Sequence, residues 1–319
     1  MKILVTGAFG QIGSELTLFL RQQYSNQNVI ATDIKCDGNE KLINTGPFHQ
    51  VDCTDFTQLR KIINNYKITT IYHLAAILSG IAENKPQLAW KVNINGLYNI
   101  LELAREFKCV VFTPSSIGVF GPGTPLENTP QDTLQRPNTM YGVTKVTGEL
   151  ICDYYYYKYR VDTRGLRYPG IISNVTMPGG GTTDYAVEIF YEAIKKQQYT
   201  CFLKAGTYLD MMYIPDALNG AIKLMETDPN KLKHRNAFNV TAMSFAPEHL
   251  SAEIQKYIPK FQVSYRIDPI RQAIANSWPK NMDDTAARDE WGWEPKYDLE
   301  KMTKDMIEVL SKRLNSPIT

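Results

Sequence analysis

The sequence contains few of the residues that build disulfide frameworks or metal sites. Its five cysteines are scattered along 319 residues and show no CxxC spacing, so we expect no disulfide framework. Free cysteines are typical of a reducing compartment, and we therefore expect a cytoplasmic protein. The four histidines are equally dispersed, and this gives a zinc site no support.

Long hydrophobic runs and a strong net charge are also missing. No segment approaches the roughly 18 apolar residues of a membrane span, and we expect no membrane association. The formal net charge of +2, without a basic cluster interleaved with aromatic residues, gives no indication of nucleic acid as a partner. Because the first apolar strand begins at Lys2, we expect no signal peptide. The composition, 43% hydrophobic and 21% charged, is that of an ordinary globular protein.

The N-terminal stretch predicts a turn that binds a dinucleotide. Residues 2–6 form a short apolar, β-branched run typical of a buried parallel strand, and an amphipathic helix begins soon afterwards. The glycines between them permit a tight turn, close approach of phosphates and close packing of helix on strand. Free N–H groups at the helix start favour a pyrophosphate. The predicted cofactor contacts in this turn are Gly7, Gly10, Gln11, Ile12 and Gly13.

A second predicted strand, residues 28–33, ends in an acidic residue that selects the cofactor. Asp33 lies 20 residues beyond Gly13. A carboxylate at this position accepts hydrogen bonds from the adenosine ribose hydroxyls and repels a 2′-phosphate. The predicted cofactor is therefore NAD rather than NADP.

Strands and helices alternate through the first half of the chain. Further strands are predicted at 48–52, 69–76, 109–113 and 161–168, and a single long helix at 86–107. This alternation predicts an α/β fold: a Rossmann-type, doubly wound parallel sheet with helices on both faces. We expect residues 1–170 to form the NAD-binding domain, with about 205–240 returning to it. Residues 171–319 would mostly form a smaller, mixed, discontinuous substrate-binding subdomain.

Several further residues fall at the carboxyl ends of the predicted strands, where a cofactor should lie. The third strand ends at a point suited to the adenine, and the small residues ending the fourth let a cofactor pass closely. An asparagine of the long helix could bond a strand carbonyl or order water near the nicotinamide. The sixth strand brings its backbone beside the nicotinamide amide. The predicted contacts are Asp52, Cys53, Leu74, Ala75, Ala76, Asn93, Tyr168 and Ile171.

The chemical centre is predicted at the start of the next helix. Tyr141 and Lys145 are four residues apart and share one helical face. An ammonium near a phenol stabilises the phenolate and lowers its pKa, so that tyrosine can act as a base nearer neutrality. Ser116, at the end of the fifth strand, can hold the reacting oxygen, with Ser115 as a stand-in. Taken alone, such a Tyr/Lys pair is more often a pair of surface neighbours; the dinucleotide half-fold favours catalysis.

A second polar stretch has two interpretations. Thr182 and Asp184 follow three glycines and precede a predicted helix. They suit a helix N-cap, and they equally suit a site where a hydroxyl and a carboxylate face the charged groups of an amino acid. The residues alone leave these interpretations open.

These motifs resemble the extended short-chain dehydrogenase/reductase superfamily, as shown by residues 6–13, Ser115–Ser116 and 141–145. The whole chain is similar to the L-threonine 3-dehydrogenases of that superfamily, most specifically in residues 114–117, 178–186, 211–216 and 274–284. The resemblance implies metal-independent, NAD-dependent oxidation of L-threonine at its 3-hydroxyl, as part of threonine catabolism, with Tyr141 as base and Lys145 on the nicotinamide ribose. It implies substrate contacts from Ser79, Thr182 and Asp184, and a homodimer packed through the Tyr/Lys helix.

Two other functions remain open. A nucleotide-sugar epimerase or dehydratase shares the first motifs, but it needs cationic residues for a diphosphate where this chain offers Asp184. A non-catalytic NAD-binding regulator is a third interpretation; such proteins can lose the Tyr/Lys pair, which is present here.

Overall fold

The computed structural model describes residues 1–37, 39–177, 179 and 181–315. In these residues the strands β1 to β14 are, in chain order, Ile3–Thr6, Val29–Asp33, Phe48–Gln50, Thr70–His73, Val110–Phe112, Ser115–Ser116, Thr163–Arg164, Leu166–Tyr168, Gly170–Ile172, Gln198–Cys201, Leu209–Tyr213, Phe238–Asn239, Met243–Phe245 and Gln262–Tyr265. The helices α1 to α13 are Gln11–Tyr24, Glu40–Asn44, Phe56–Tyr66, Ser79–Asn84, Pro86–Trp90, Gly96–Phe107, Met140–Tyr159, Tyr185–Lys196, Ile214–Glu226, Pro247–Gln255, Pro269–Ser277, Thr285–Trp291 and Leu299–Asn315.

The central sheet is parallel and has the order β3-β2-β1-β4-β5-β7. Ile3 of β1 pairs with Val29 on one side and with Thr70 on the other. The strand order therefore reverses between β1 and β4, and the carboxyl ends of these two strands flank a crevice suited to a ligand. The predicted doubly wound α/β fold is confirmed.

Alternate residues of the strands enter two separate cores, one on each face of this sheet. Leu4 and Ile30 are buried among residues of α3, α6 and α7. Ile3 and Val29 are buried on the opposite face, in a core that includes α1 and α9. Near-continuous apolar strands are required because both faces of the sheet are covered. None of the described helices is both long and apolar enough to cross a membrane.

Smaller sheets extend the fold beyond β7, in the orders β12-β8-β6, β13-β11-β9 and β10-β14. The predicted strand 161–168 divides at Gly165 into β7 and β8. The N–H of Gly165 donates to the carbonyl of Arg235 at 2.8 Å, and its carbonyl accepts from the N–H of Phe238 at 2.9 Å. A Cβ at Gly165 would lie 2.8 Å from the carbonyl oxygen of Thr113. This close approach lets β8 leave the central sheet and pair with β6 and β12.

The long helix predicted over residues 86–107 is present but is interrupted. Between α5 and α6 the chain forms a π-helical turn, Lys91–Asn95. Such turns insert an extra residue into the helical repeat and often occur at functional sites. The turn contains Asn93, which is buried.

Candidate active site

The turn between β1 and α1 has a backbone that only glycine fits. Gly7 has φ +68°, and a Cβ there would lie 2.5 Å from the backbone nitrogen of Ala75. A Cβ at Gly13 would lie 2.1 Å from the carbonyl oxygen of Gly7. No side chain caps α1, and its first turn holds no acidic residue. The helix start can therefore receive an anion, and the cradle fits the pyrophosphate of a dinucleotide.

Asp33 lies beside this turn, where the sequence places it. Its Oδ2 accepts a hydrogen bond from the N–H of Phe9 at 2.9 Å, and its Oδ1 accepts one from the N–H of Lys35 at 3.0 Å. The side chain is buried. These bonds hold a negative charge next to the glycine turn, which disfavours a 2′-phosphate there.

A cleft of about 230 Å³ opens at the carboxyl ends of the strands. It brings together most of the predicted site residues: Gly7, Gly10, Gln11, Ile12, Gly13, Leu74, Ala76, Ser79, Ser115, Ser116, Tyr141, Lys145, Tyr168, Ile171, Thr182 and Asp184. The residues predicted for the site that do not line this cleft are Asp33, Asp52, Cys53, Ala75 and Asn93.

The predicted catalytic side chains meet in this cleft at the start of α7. The hydroxyl of Thr139 caps the helix by accepting from the N–H of Gly142 at 3.1 Å, and this fixes the turn that carries Tyr141. Ser116 lies close enough to Tyr141 for its hydroxyl to favour the phenolate. The ammonium of Lys145 lies 5.5 Å from the centroid of the Tyr141 ring. The three side chains have the arrangement needed for acid–base chemistry on an alcohol.

The electrostatics of this group differ from the prediction. Burial raises the pKa of Tyr141 to about 12, and the hydrogen bond from Ser116 opposes that rise only in part. Burial also lowers the pKa of Lys145 to about 8, although Glu149 favours the ammonium. The Lys145 ammonium donates to the carbonyl of Pro114 at 2.7 Å. The prediction of a lowered phenol pKa is therefore wrong for the protein alone, because desolvation of the phenolate outweighs the favourable effect of Ser116.

The structure distinguishes between the two adjacent serines. The hydroxyl of Ser115 donates to a carboxylate oxygen of Glu149, which also forms a buried ion pair with Arg167 at 2.8 Å. Ser115 is thus part of a buried polar network, although it also borders the cleft. The Oγ of Ser116 accepts from the N–H of Gly118 at 3.1 Å, which leaves its hydroxyl able to donate to another oxygen. Ser116 is therefore better placed than Ser115 to position a reacting oxygen, and a substrate contact from Ser115 stays a prediction.

Two predicted cofactor contacts have their polar groups engaged within the protein. The Oδ1 of Asn93 accepts from the N–H of Ile77 at 2.7 Å, and its Nδ2 donates to the Ile77 carbonyl at 3.1 Å and to the Thr144 hydroxyl at 3.0 Å. Asn93 therefore clamps the loop after β4 to α7. The phenol of Tyr168 donates to the carbonyl of Ala217 at 2.7 Å, so Tyr168 offers the cleft its ring rather than its hydroxyl.

Asp52 and Cys53, predicted beside the adenine, form a packed turn. The Oδ1 of Asp52 accepts from the N–H of Thr54 at 2.8 Å. Cys53 is buried, and a Cβ at Gly96 would lie 2.8 Å from its sulfur, so that α6 packs directly on the thiol. Burial raises the pKa of Cys53 to about 12. The structure thus gives these residues a packing role, and contact with adenine stays a prediction.

Thr182 and Asp184, for which the sequence leaves two interpretations, both line the cleft. Asp184 immediately precedes α8, yet its carboxylate makes no cap hydrogen bond to that helix. Its Oδ2 instead accepts from the N–H of Gly181 at 2.6 Å. Thr182 is buried and lines the cleft. The simple N-cap interpretation is therefore not supported. Two residues of this motif, Pro178 and Gly180, lie outside the described residues.

Sequence reasoning did not assign several other residues to the cleft, although some lie in motifs that carried the resemblance. Trp278 lines the cleft and directly follows α11, about a hundred residues from the other walls. Gly118 does not line the cleft, but it lies against the Tyr141 ring, since a Cβ there would be 3.3 Å from the ring carbon Cδ1. No local pattern marks either residue, because both positions depend on contacts between distant segments. The other additions are Leu78, Pro114, Ile117, Pro169, Gly170, Gly181 and Thr183.

Metal ligands do not cluster here. Within the part of the chain that the structure describes, no group of three or more His, Cys, Asp or Glu side chains is arranged to hold a metal ion.

Comparison with known proteins identifies similar chains. The family model described as the NAD dependent epimerase/dehydratase family matches residues 3–241. An uncharacterised epimerase/dehydratase of Staphylococcus haemolyticus is 53% identical over 98% of this chain and 98% of its own. The X-ray structure of L-threonine dehydrogenase from Clostridium difficile is 56% identical with a TM-score of 0.96, covering 98% of both chains. The L-threonine dehydrogenase of Phytophthora infestans is 45% identical with a TM-score of 0.94, covering 98% of this chain and 100% of its own.

Proposed function

The chain belongs to the NAD-dependent epimerase/dehydratase family, and we propose that it oxidises L-threonine at the 3-hydroxyl, giving L-2-amino-3-oxobutanoate and NADH. Its similarity to solved L-threonine dehydrogenases supports an NAD-dependent dehydrogenase. The observation that carries the substrate proposal is that Tyr141, Ser116 and the carboxylate of Asp184 share one cleft. Threonine presents an alcohol to the first two and an ammonium to the third.

The charges of the cleft favour an amino acid over a nucleotide sugar. Among its described lining residues Asp184 is the only carboxylate, and Lys145 is the only cationic side chain. The Lys145 ammonium is already bonded to the Pro114 carbonyl. A sugar diphosphate would require further cations, whereas an amino acid's ammonium requires an anion. The cleft therefore gives no specific support to the epimerase alternative.

The chain's own residues account for movement of the proton. When bound, oxidised NAD supplies a hydride acceptor and a positive charge that favours ionisation of the buried phenol. Ser116 donates a hydrogen bond to the substrate oxygen and orients it towards Tyr141. The Tyr141 oxygen takes the proton of the 3-hydroxyl as the carbon–oxygen double bond forms and the hydride leaves carbon 3. Lys145, protonated near neutral pH because its pKa is about 8, keeps a positive charge beside the ring.

The proposal is tested by following NADH absorbance with NAD and a panel of 2-amino-3-hydroxy acids. L-Threonine should be the best substrate, and Tyr141→Phe should lower kcat by at least about 10²-fold with NAD binding retained. Tyr257→Phe is the matched control, since Tyr257 is exposed and does not line the cleft. Near-normal turnover by Tyr141→Phe would remove the assigned base. Absence of NADH formation with L-threonine in the unchanged enzyme would refute the substrate.

We also propose that two copies associate through α7 and the helices beside it. Exposed apolar side chains follow one face of α7: Val143, Leu150, Tyr154 and Tyr157 are 39%, 61%, 54% and 67% exposed. Trp90 of α5 and Tyr98 of α6 extend this surface, at 42% and 50% exposed. Exposed apolar side chains gathered on neighbouring helices in this way are typical of an interface, and both α5 and α6 contact α7. Leu150→Glu combined with Tyr154→Glu should halve the mass measured by light scattering; an unchanged mass would place any interface elsewhere.

The domain division and the compartment are likewise proposals. All strands of the central sheet lie within residues 1–170, the proposed NAD-binding domain. The segment 205–240 contains α9, which contacts α1. The rest of 171–319 would serve substrate binding. All five cysteines are free, which supports a reducing cytoplasm.

A further inference from the structure

The cleft contains polar side chains that have no hydrogen-bond partner among the described residues. These are the hydroxyls of Ser79, Thr182 and Thr183 and the indole N–H of Trp278. None of the four polar atoms is fully sealed from solvent within the protein. Polar groups that are largely buried normally find partners, so a cluster of open donors in a cleft indicates a ligand with acceptors.

An amino acid brings a carboxylate that this cleft must satisfy without a free cation. Asp184 suits the ammonium, and Lys145 is engaged with the Pro114 carbonyl. The carboxylate is therefore left to neutral donors. Hydroxyl groups both donate and accept, whereas an indole N–H only donates. Of the open groups, Trp278 is consequently the one that discriminates in favour of an acceptor such as a carboxylate oxygen.

Trp278 is held firmly enough to select a ligand. The side chain is 7% exposed, and its backbone N–H donates to the Ala275 carbonyl at 3.3 Å. The residues just after it pair with a separate loop: the N–H of Lys280 donates to the Leu126 carbonyl at 2.7 Å, and that of Asp283 to the Thr129 carbonyl at 2.9 Å. A donor fixed by packing on both sides loses little freedom when a ligand binds.

We propose that the indole N–H of Trp278 donates a hydrogen bond to the substrate carboxylate and thereby determines specificity for amino acids over amino alcohols. This inference rests on the proposed function, because it requires an amino acid in the cleft. It assigns the residue a binding role rather than a part in proton transfer. Loss of the bond should weaken substrate binding in the ground state and the transition state alike, which raises KM and leaves kcat nearly unchanged.

The first experiment measures NADH formation with L-threonine by the wild type, Trp278→Phe and Tyr257→Phe. Trp278→Phe should raise KM about 10- to 100-fold, the scale of a hydrogen bond to a charged group, with kcat within about threefold. Tyr257 is 40% exposed and does not line the cleft, so Tyr257→Phe should match the wild type. An unchanged KM in Trp278→Phe, or a fall in kcat as large as the rise in KM, would overturn the proposal. A wild type that forms no NADH would instead refute the proposed function.

A second experiment measures ligand binding to the wild type, so that its result does not depend on whether Trp278→Phe folds. Variants at other tryptophans serve only to assign the signals. The ¹⁵N-labelled indole N–H signals are assigned by Phe replacement at Trp90, Trp291 and Trp293, which identifies the fourth signal as Trp278 by elimination. With NAD bound, L-2-aminobutyrate, which lacks the 3-hydroxyl, should move the Trp278 signal downfield. Propylamine, which lacks the carboxylate, should not. A Trp278 signal that responds equally to both compounds, or to neither, would overturn the proposal.

Discussion

Replacing Gly118 by alanine tests how closely the catalytic geometry is set by its surroundings. The added Cβ would lie 3.3 Å and 3.4 Å from ring carbons of Tyr141 and 3.5 Å from the Ser116 hydroxyl oxygen. Carbon atoms in contact prefer a separation of about 3.5–4.0 Å, so the ring must move by a few tenths of an ångström. A misplacement of about 1 Å can cost about 10²-fold in rate. We therefore expect kcat to fall about 3- to 10-fold.

Gly148→Ala is a matched control on α7. Its Cβ would lie 3.3 Å from a methyl carbon of Leu97, the same separation as at Gly118, but against a flexible side chain. We expect Gly148→Ala to leave kcat unchanged. Both variants are assayed for NADH formation with saturating L-threonine, and their NAD dissociation constants are measured by fluorescence. If Gly118→Ala turns over like the wild type, Tyr141 either tolerates displacement or is not the base. Weakened NAD binding alone would also refute the reasoning.

Three further changes test the electrostatics of the interior by urea unfolding across pH. Lys145→Met should raise the free energy of unfolding at pH 7 by up to about 3 kcal/mol, because burial lowers the pKa of Lys145 from 10.5 to about 8. This gain in stability should shrink from pH 8 towards 10, because the unfolded wild type there binds more protons than the folded wild type. A gain that stays constant across this pH range would contradict the lowered pKa of Lys145. Arg167→Met should lower the free energy of unfolding by about 3–5 kcal/mol, because it leaves the buried Glu149 carboxylate without its ion-pair partner. Adding Glu149→Gln should recover part of that loss, whereas strictly additive losses would show that the two side chains are not coupled. Burial lowers the pKa of His73 to about 3, so wild-type stability should fall as pH drops below 6.5, and His73→Gln should flatten that slope.

Sequence alone determined those features that depend on local geometry. The glycine turn was predictable because Gly7 needs a positive φ and Gly13 must touch the preceding turn, and such requirements leave a pattern in neighbouring residues. The shared face of Tyr141 and Lys145 follows from helical periodicity. Helical periodicity also prevents the four tyrosines at 154–157 from facing one way, and Tyr155 is 2% exposed while Tyr157 is 67% exposed.

Tertiary structure alone decided how those residues behave. The choice of Ser116 over Ser115 depends on Glu149, 34 residues beyond Ser115 in the chain. The raised pKa of Tyr141 depends on burial by several segments, which a pairwise spacing rule does not contain. Trp278 reaches the cleft on a segment that pairs, just after it, with the loop at 126–129. Desolvation and long-range packing are sums over distant residues, so the folded chain had to be seen before the chemistry of its cleft could be described.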